Sequence, residues 1–280
     1  MHGEGHFGGY FAPGYQKDCI PPAFGVVYGA SESLSEAIFG GGSEAGVRVG
    51  GTDTNEVVVT RRGLFVTGTD TNVGKTVVSA ALFHRYRSEV SLCYWKPVQT
   101  GIEQDDDTAT VRALGECTDG EIFDQGVRLP RPVSPHLAAR WAGRRITVAA
   151  LLALWESAPV PVRWIVEGAG GVLVPLNEGE LMVDLMRALH LPALIVARST
   201  LGTINHTLLT VEALRYRAIP IAGVVMVGPP NPENRRAIEE YGGVPVLGEM
   251  PWFEPLTPEG LRTWAQAGLD PDGRLREGWA

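Results

Sequence analysis

The chain has 280 residues, of which 44% are hydrophobic and 20% are charged, and its formal net charge is −8. This length fits one large α/β domain or two small ones, and the composition is that of an ordinary globular protein. The negative net charge argues against a protein that binds nucleic acid or an anionic membrane surface over a broad face. Phosphate groups would therefore have to be bound by local positive side chains.

Cysteine usage and hydropathy exclude several further classes. Cys19, Cys93 and Cys117 do not have the spacing of a metal site. No apolar run approaches the roughly 20 residues of a membrane span. The first residues have neither a basic region nor an apolar stretch, so we expect no secretory signal and a cytoplasmic location.

Residues 1–62 are rich in glycine and have no sustained hydrophobic periodicity. We predict that they form a poorly ordered N-terminal extension. The segment Gly51–Asn55 repeats the sequence of Gly68–Asn72, but Glu56 and Val57 follow it. It therefore lacks the Gly-Lys-Thr that would bind phosphate.

From residue 63 onward the chain alternates between strand and helix patterns. The predicted strands are Leu64–Thr67, Leu92–Lys96, Trp164–Glu167, Ala193–Ala197, Ala222–Val227 and Val244–Leu247. The predicted helices are Lys75–Tyr86, Thr108–Leu114, Pro135–Trp141, Val148–Trp155, Leu181–Leu189, Ile204–Tyr216, Pro232–Glu240 and Pro258–Gln266. This alternation predicts a single α/β catalytic domain over 63–280, with a doubly wound, mainly parallel sheet and helices on both faces. Its ligands should bind beyond the carboxyl ends of the strands.

The first predicted strand and helix are joined by Gly-Thr-Asp-Thr-Asn-Val-Gly-Lys-Thr at Gly68–Thr76. A glycine-bounded loop between a strand and a helix predicts a P-loop, whose backbone N–H groups face an anion. Lys75 would reach the outer phosphates and the Thr76 hydroxyl would hold Mg²⁺. The first glycine stands one residue earlier than in G-x-x-x-x-G-K-[ST], where Thr69 occupies its place. A chance glycine turn is the alternative, and the flanking strand and helix disfavour it.

Three further stretches follow predicted strands and should meet the loop. Lys96 precedes Pro97 at a strand end, where it is either a cation beside the triphosphate or a surface lysine. One of the three acids at Asp105–Asp107 could bind Mg²⁺, although alone they would indicate only a helix start. Glu167 ends an apolar strand before Gly168-Ala169-Gly170 and predicts a second metal ligand beside backbone that phosphate can approach.

The segment Thr200–His206 opens a predicted helix. Its free N–H groups could form an anion site, or Thr203 could simply cap a glycine turn, and the spacing alone leaves both open. His206, in the first helical turn, is interpreted as structural.

Together these motifs resemble the dethiobiotin synthetase family, the ATP-dependent cyclo-ligases of biotin biosynthesis. The matching segments, in the family's order, are Gly68–Thr71, Val73–Thr76, Lys96–Val98, Ser134–His136, Glu167–Gly171, Leu201–Gly202, Ile204–His206, Leu247–Glu249 and Pro251–Trp252. The resemblance implies that 7,8-diaminononanoate, CO₂ and ATP with Mg²⁺ give dethiobiotin through a phosphorylated carbamate.

The resemblance also implies roles for individual residues. Lys96 matches the catalytic lysine, and the metal residues are Thr76, Asp107 and Glu167. Those implied to bind ATP are Asn72, Val73, Gly74, Lys75, Thr76, Val77, Asp107, Glu167, Gly168, Ala169, Gly170, Val227, Pro251 and Trp252. Those implied to bind the substrate are Thr71, Thr100, Gly202, Thr203 and Asn205. The last three would act across the interface of a homodimer.

Two positions depart from the family pattern. Asn72 stands where the family often has Glu, and Val227 stands where an Asn often reads adenine. Because a valine side chain forms no hydrogen bonds, we expect weakened base discrimination and detectable use of CTP or GTP.

Two other functions are alternatives to this one. A switch-type or partitioning ATPase of the same P-loop class typically carries a second lysine early in the loop, where this chain has Asp70. A cobyrinate-type amidotransferase ligase would need a glutaminase domain, for which the chain has neither the length nor a cysteine in a nucleophile elbow.

Overall fold

A computed structural model of the chain describes residues 61–160 and 162–279. Apart from its last two residues, the predicted N-terminal extension lies outside the described residues. The strands are β1 (Arg62–Gly68), β2 (Leu92–Trp95), β3 (Val98–Thr100), β4 (Ile122–Phe123), β5 (Val127–Leu129), β6 (Arg163–Gly171), β7 (Ala193–Arg198), β8 (Ile221–Val227) and β9 (Val246–Met250).

The helices in the same part of the chain are α1 (Lys75–Tyr86), α2 (Asp107–Leu114), α3 (Pro135–Trp141), α4 (Val148–Glu156), α5 (Met182–Leu189), α6 (Thr203–Arg215), α7 (Pro232–Gly242), α8 (Pro258–Gly268) and α9 (Arg274–Trp279). A 3₁₀ turn, Asp119–Glu121, precedes β4.

Seven strands form one sheet in the order β4-β2-β6-β1-β7-β8-β9, and every neighbouring pair is parallel. The strand order reverses around β1, which has β6 on one side and β7 on the other. In open parallel sheets such a reversal opens a crevice at the carboxyl ends of the strands. The predicted doubly wound fold is confirmed.

Alternate residues of the strands supply two hydrophobic cores. Phe65, Val166 and Ile195 belong to the core that includes α4, α5 and α6, whereas Leu64 and Val66 belong to the core that includes α1 and α8. This alternation is the two-residue period of a strand covered on both faces. A sheet buried on both sides is rigid, so its strand ends are suited to fixing catalytic side chains.

The structure differs from the predicted elements at several places. Strand β6 continues to Gly171, so Glu167 lies inside the strand rather than at its end, and β2 stops at Trp95, one residue before Lys96. A separate two-stranded parallel sheet, β3 with β5, and the edge strand β4 were not predicted, because runs of two or three residues give no periodic signal. The last strand begins at Val246 rather than Val244, because Pro245 has no N–H to donate and its carbonyl accepts from Val224. Helix α9 was also missed. Its first turn is capped by the carboxylate of Asp270.

In the described part of the chain, none of the helices has the length and apolar character needed to cross a membrane.

Candidate active site

The loop between β1 and α1 has the geometry of an anion cradle. Gly74 immediately precedes α1 with φ +98°, a conformation that glycine adopts without strain. A Cβ placed on Gly74 would lie 3.2 Å from Val227 Cγ1, so a side chain here would also crowd β8. The first turn of α1 therefore opens toward the crevice with backbone N–H groups free to face an anion.

Lys75 is buried at the base of this loop. It is 8% exposed, and its Nζ donates to the carbonyl of Asp70 at 3.1 Å. Burial, reinforced by the nearby Lys96 ammonium, lowers the pKa of Lys75. The Asp70 side chain is bound by Arg198 at 2.7 Å, which ties the loop to the end of β7. Arg198 was not among the predicted site residues.

A lysine and two carboxylates meet beside the loop. Lys96 is 3% exposed, and its Nζ lies 2.6 Å from Asp107 Oδ2 and 2.7 Å from Glu167 Oε1. The same Nζ lies 3.1 Å from the carbonyl of Gly168. The register of β2 with β6 explains this arrangement. Trp95 pairs with Val166, and the residues that follow them in the chain are Lys96 and Glu167.

Thr76 connects this cluster to the P-loop. Its hydroxyl donates to Asp107 Oδ1 at 2.7 Å and lies 3.1 Å from Glu167 Oε1. The three predicted metal residues therefore converge, although they come from α1, α2 and β6. The predicted catalytic Lys96 lies among them.

Of the three consecutive acids, only Asp107 contributes its side chain to the cluster within the described residues. The Asp106 carboxylate caps α2 by accepting from the Ala109 N–H at 3.0 Å. The carbonyl of Asp105 accepts from the Gln99 amide at 2.7 Å, which anchors the loop that leads to Asp107. The alternative that the acids serve only as a helix start holds for Asp106.

Burial and the neighbouring charges shift the pKa values of Lys96 and Asp107 in opposite directions. Burial would lower the pKa of Lys96, but the carboxylates of Glu167 and Asp107 outweigh it and raise that pKa. Burial would likewise raise the pKa of Asp107, but Lys96 outweighs it and lowers that pKa. The lysine and Asp107 thus hold each other in their charged forms.

The oxygen atoms of this cluster fit a magnesium ion. One hydroxyl and two carboxylates are hard ligands, and Mg²⁺ prefers one or two carboxylates completed by water and phosphate oxygens. The described residues contain no group of three or more His, Cys, Asp or Glu side chains that could hold a metal ion. Thr76, Asp107 and Glu167 therefore suit an ion that arrives with a nucleotide.

Three cavities follow one another along the P-loop. The middle one, of about 360 Å³, lies over the charged cluster and is also lined by Gln99, Thr100, Ala169 and Gly170. A mainly apolar cavity of about 430 Å³ adjoins it on one side, and its lining includes Asn72, Val73, Val77, Val227, Pro251 and Trp252. The third, of about 400 Å³, is lined by Thr71, Val172, Leu173, His206 and Leu209 among others.

The loop itself separates the cavities. Asn72 and Gly74 line both the apolar and the charged cavity, and Thr71 lines both the charged cavity and the third one. A ligand that fills one cavity would thus lie next to a ligand in the neighbouring cavity. Gly168, predicted to bind ATP, packs tightly on β1, since a Cβ there would lie 2.8 Å from Phe65 Cε1.

Gly202, Thr203 and Asn205, at the start of α6, do not line the charged cavity. Gly202 has φ +92° with open space beside it, and no side chain caps the helix. Asn205 is exposed, but Thr203 is buried and its hydroxyl donates to the carbonyl of Arg198 at 2.5 Å. The Thr203 N–H also donates to the carbonyl of Thr200, at 3.2 Å.

Two residues of the cluster escaped the sequence prediction. Ser79 and Tyr94 donate to Glu167 Oε2 at 2.9 and 3.0 Å. Burial, together with the charge of Glu167, raises the pKa of Tyr94 well above its usual value, so the hydroxyl remains a proton donor. Two spacings in the sequence could have identified them. Tyr94 lies two residues before Lys96, on the same side of an extended chain, and Ser79 lies about one helical turn after Thr76.

Comparison with known proteins identifies the family. The family model described as AAA domain matches residues 62–260. The ATP-dependent dethiobiotin synthetase BioD of Paramagnetospirillum magneticum is 52% identical over 189 residues, which are 68% of this chain and 87% of that protein. The BioD of Agrobacterium fabrum is 45% identical over 196 residues, 70% of this chain and 89% of that one. This chain belongs to the dethiobiotin synthetase family.

Other relatives set this family in context. The biotin biosynthesis bifunctional protein BioCD of Bordetella avium is 44% identical over 206 residues, which are 73% of this chain and 43% of that protein. Among solved structures, a ParA family ATPase from Chlorobium tepidum covers 78% of this chain and 96% of its own, with a TM-score of 0.46 and 12% identity. As a member of the dethiobiotin synthetase family, the chain is an ATP-dependent ligase that forms C–N bonds, and the switch-type ATPase alternative is not favoured.

Proposed function

We propose that this chain joins 7,8-diaminononanoate and CO₂ to form dethiobiotin, with conversion of ATP to ADP and phosphate. The observation that carries the proposal is the position of Lys96, whose ammonium lies between Asp107 and Glu167 at the edge of the P-loop. A buried cation that lines the same cavity as the P-loop suits the transfer of phosphate to an anionic acceptor.

The reaction has three steps. One amine of the substrate attacks CO₂ and loses a proton to give a carbamate. A carbamate oxygen then attacks the γ-phosphorus of ATP and releases ADP. The second amine finally attacks the carbonyl carbon of this mixed anhydride, loses a proton and expels phosphate, which closes the five-membered ureido ring.

The second step brings the anionic carbamate and the γ-phosphate together, and the chain's own cations would offset their repulsion. Lys75 lies at the base of the loop, where it would bind the outer phosphates. Lys96 uses three N–H groups on Asp107, Glu167 and Gly168, and it would exchange one of these partners for the carbamate. Thr100 lines the same cavity and would hydrogen-bond the carbamate.

Thr76, Asp107 and Glu167 would hold Mg²⁺, which would supply positive charge to offset that of the outer phosphates. Their hydroxyl and carboxylate oxygens, brought together on one side of the cavity, support this assignment. The order of the cavities supports the placement of the substrates. The nucleotide base would occupy the apolar cavity of Val227, Pro251 and Trp252.

The diamine would occupy the third cavity, whose wall includes Thr71 at the boundary with the phosphates. Its distal carboxylate needs an anion site, and we propose the start of α6 in a partner subunit, at Gly202 and Asn205. Leu173 and Leu209 line this cavity yet are 51% and 55% exposed, which supports burial by a second copy. A homodimer would thus complete the site. The proposal also takes 63–280 as the catalytic domain and the cytoplasm as its location.

Incubation of the enzyme with ATP, Mg²⁺, bicarbonate and 7,8-diaminononanoate tests the function, with dethiobiotin detected by mass spectrometry. We expect product that requires all four components. ATP hydrolysis without ring formation would contradict the proposal and favour a switch-type ATPase.

A further inference from the structure

Glu167 is a fully buried carboxylate with three donors and one further hydroxyl arranged on two sides. Its Oε1 accepts from Lys96 at 2.7 Å and lies 3.1 Å from the Thr76 hydroxyl. Its Oε2 accepts from Ser79 at 2.9 Å and from Tyr94 at 3.0 Å. The side chain is 0% exposed, so each of these bonds is made in a medium where a lost partner is costly.

The two oxygens of this carboxylate face different surroundings. Thr76 and Lys96, the partners of Oε1, line the charged cavity, whereas Ser79 and Tyr94, the partners of Oε2, do not. Both of these hydroxyl groups belong to residues that are 0% exposed. Oε2 is therefore turned into the protein and fully used by neutral donors, and Oε1 is the oxygen presented to the cavity.

We propose that Tyr94 and Ser79 are positioning residues that restrict Glu167 to one oxygen toward the metal. They hold the carboxylate in a single rotation, which prevents it from turning to grip the ion with both oxygens and keeps Oε1 beside Thr76. This inference rests on the magnesium site proposed above. Neither residue is expected to touch substrate or metal itself.

Outer hydrogen-bond partners of a metal ligand typically contribute 10–100-fold to metal affinity or activity. We therefore expect Tyr94→Phe and Ser79→Ala each to weaken metal binding by about that range. Phenylalanine keeps the buried ring and removes only the hydroxyl. Because the P-loop is untouched, affinity for ADP in the presence of EDTA should change by no more than about twofold.

A matched control lies on the same domain. The hydroxyl of Tyr86 donates to the buried carboxylate of Asp270, and neither residue lines the charged cavity. Tyr86→Phe removes the same kind of bond, so it should lower the melting temperature without changing metal affinity. A purely structural role for Tyr94 would give the same result as this control.

The experiment measures Mn²⁺ binding to the full-length protein with saturating ADP, by the loss of the free Mn²⁺ electron paramagnetic resonance signal. Wild type, Tyr94→Phe, Ser79→Ala, Tyr86→Phe and Glu167→Gln are compared, with the apparent KM for Mg²⁺ and kcat as second readouts. Support requires a weakened Mn²⁺ affinity and a raised KM for Mg²⁺ in both hydroxyl variants, with Tyr86→Phe like wild type.

Other outcomes overturn the inference in distinguishable ways. If Glu167→Gln loses Mn²⁺ affinity but both hydroxyl variants bind it like wild type, the positioning role is wrong and the metal site stands. If Glu167→Gln also binds Mn²⁺ like wild type, the metal site fails as well. Should Tyr94→Phe not fold, Ser79→Ala decides alone, because it leaves the buried tyrosine in place.

Discussion

At the scale of single residues, Lys96 has both a structural role and a proposed catalytic role. It neutralises the buried Asp107 and Glu167, from which its ammonium lies 2.6 and 2.7 Å. It is also the proposed cation for the carbamate. Removing one partner of a buried ion pair is strongly destabilising, since the remaining charge has no counterion. A variant of Lys96 must therefore be judged on stability and on turnover separately.

We predict that Lys96→Ala lowers kcat by at least about 100-fold, the effect of losing a donor aimed at transition-state charge. Affinity for nucleotide with Mg²⁺ should stay within a few-fold, because the P-loop is intact. The melting temperature should fall in metal-free buffer, and Mg²⁺ with ADP should restore much of it by supplying positive charge. Calorimetry and steady-state kinetics check these outcomes. Unchanged turnover would remove Lys96 from the mechanism.

Asp107 gives a prediction about acid. Its pKa is held below the usual value because the attraction of Lys96 outweighs burial. A depressed folded-state pKa stabilises the fold above the unfolded value of roughly 3.9, and this contribution disappears as the pH falls through the folded value. The difference in melting temperature between wild type and Asp107→Asn, without metal, should therefore be largest above about pH 5 and shrink toward pH 3. A difference that does not depend on pH would contradict this.

Val227 lies in the cavity proposed for the nucleotide base. Its side chain lines the apolar cavity, where it offers no hydrogen bond to distinguish one base from another. We expect wild-type rates with ATP, CTP and GTP to lie within about a factor of ten, whereas Val227→Asn should favour ATP further. Comparison of kcat/KM for the three nucleotides checks this. Strict ATP dependence of the wild type would show that backbone groups read the base.

At the scale of elements, the junction of loop and helix can be tested through glycine. Gly74→Ala would place a Cβ at φ +98° and 3.2 Å from Val227 Cγ1. Left-handed backbone costs a non-glycine residue about 1–2 kcal/mol. Gly143 is a matched control, because it has φ +63° and a Cβ added there would meet nothing within 4 Å. Both alanine variants should lose about that stability, but only Gly74→Ala should weaken ADP binding, by at least about tenfold in calorimetric titration. Equal ADP affinity in both would argue against the cradle.

The elements that sequence reasoning recovered are those with a long periodic or motif signal. Apolar runs marked β1, β7 and β8, and side-chain caps begin α2, α4, α7 and α8, whereas β3, β4 and β5 are too short to be recognised. Strand β9 begins two residues later than predicted because Pro245 has no N–H to donate, although its carbonyl accepts a hydrogen bond from the Val224 N–H.

The candidate site divides in the same way. Gly74, Lys75 and Thr76 follow from a contiguous motif, and Lys96 follows from its position just after β2. Glu167 follows from the acid after an apolar run, although β6 continues to Gly171. Ser79, Tyr94 and Arg198 depend on which side chain lies opposite in the folded chain. The local sequence carries only weak signals of that pairing, since a neutral hydroxyl in a helix or strand usually has no catalytic role.

At the scale of the whole molecule, a single copy leaves apolar surface exposed beside the candidate site. Leu173 and Leu209 line the third cavity and are about half exposed, beside the P-loop residues Gly68–Thr71. An apolar surface next to an active site is typical of an interface. If the substrate carboxylate is bound by α6 of a partner, loss of the dimer should affect the diamine and not the nucleotide.

We therefore predict that Leu209→Asp gives a monomer and raises the KM for 7,8-diaminononanoate by at least about tenfold, because a buried unpaired carboxylate opposes association and the anion site is lost. Affinity for ADP with Mg²⁺ should stay within about twofold of wild type. Val160→Asp adds the same charge at a 46% exposed position outside the three cavities, and it should change neither property. Light scattering after size-exclusion chromatography, with steady-state kinetics, checks both variants. A Leu209→Asp protein that is monomeric yet keeps the wild-type KM would place the carboxylate site within one subunit, and the start of α6 would then have no role in trans.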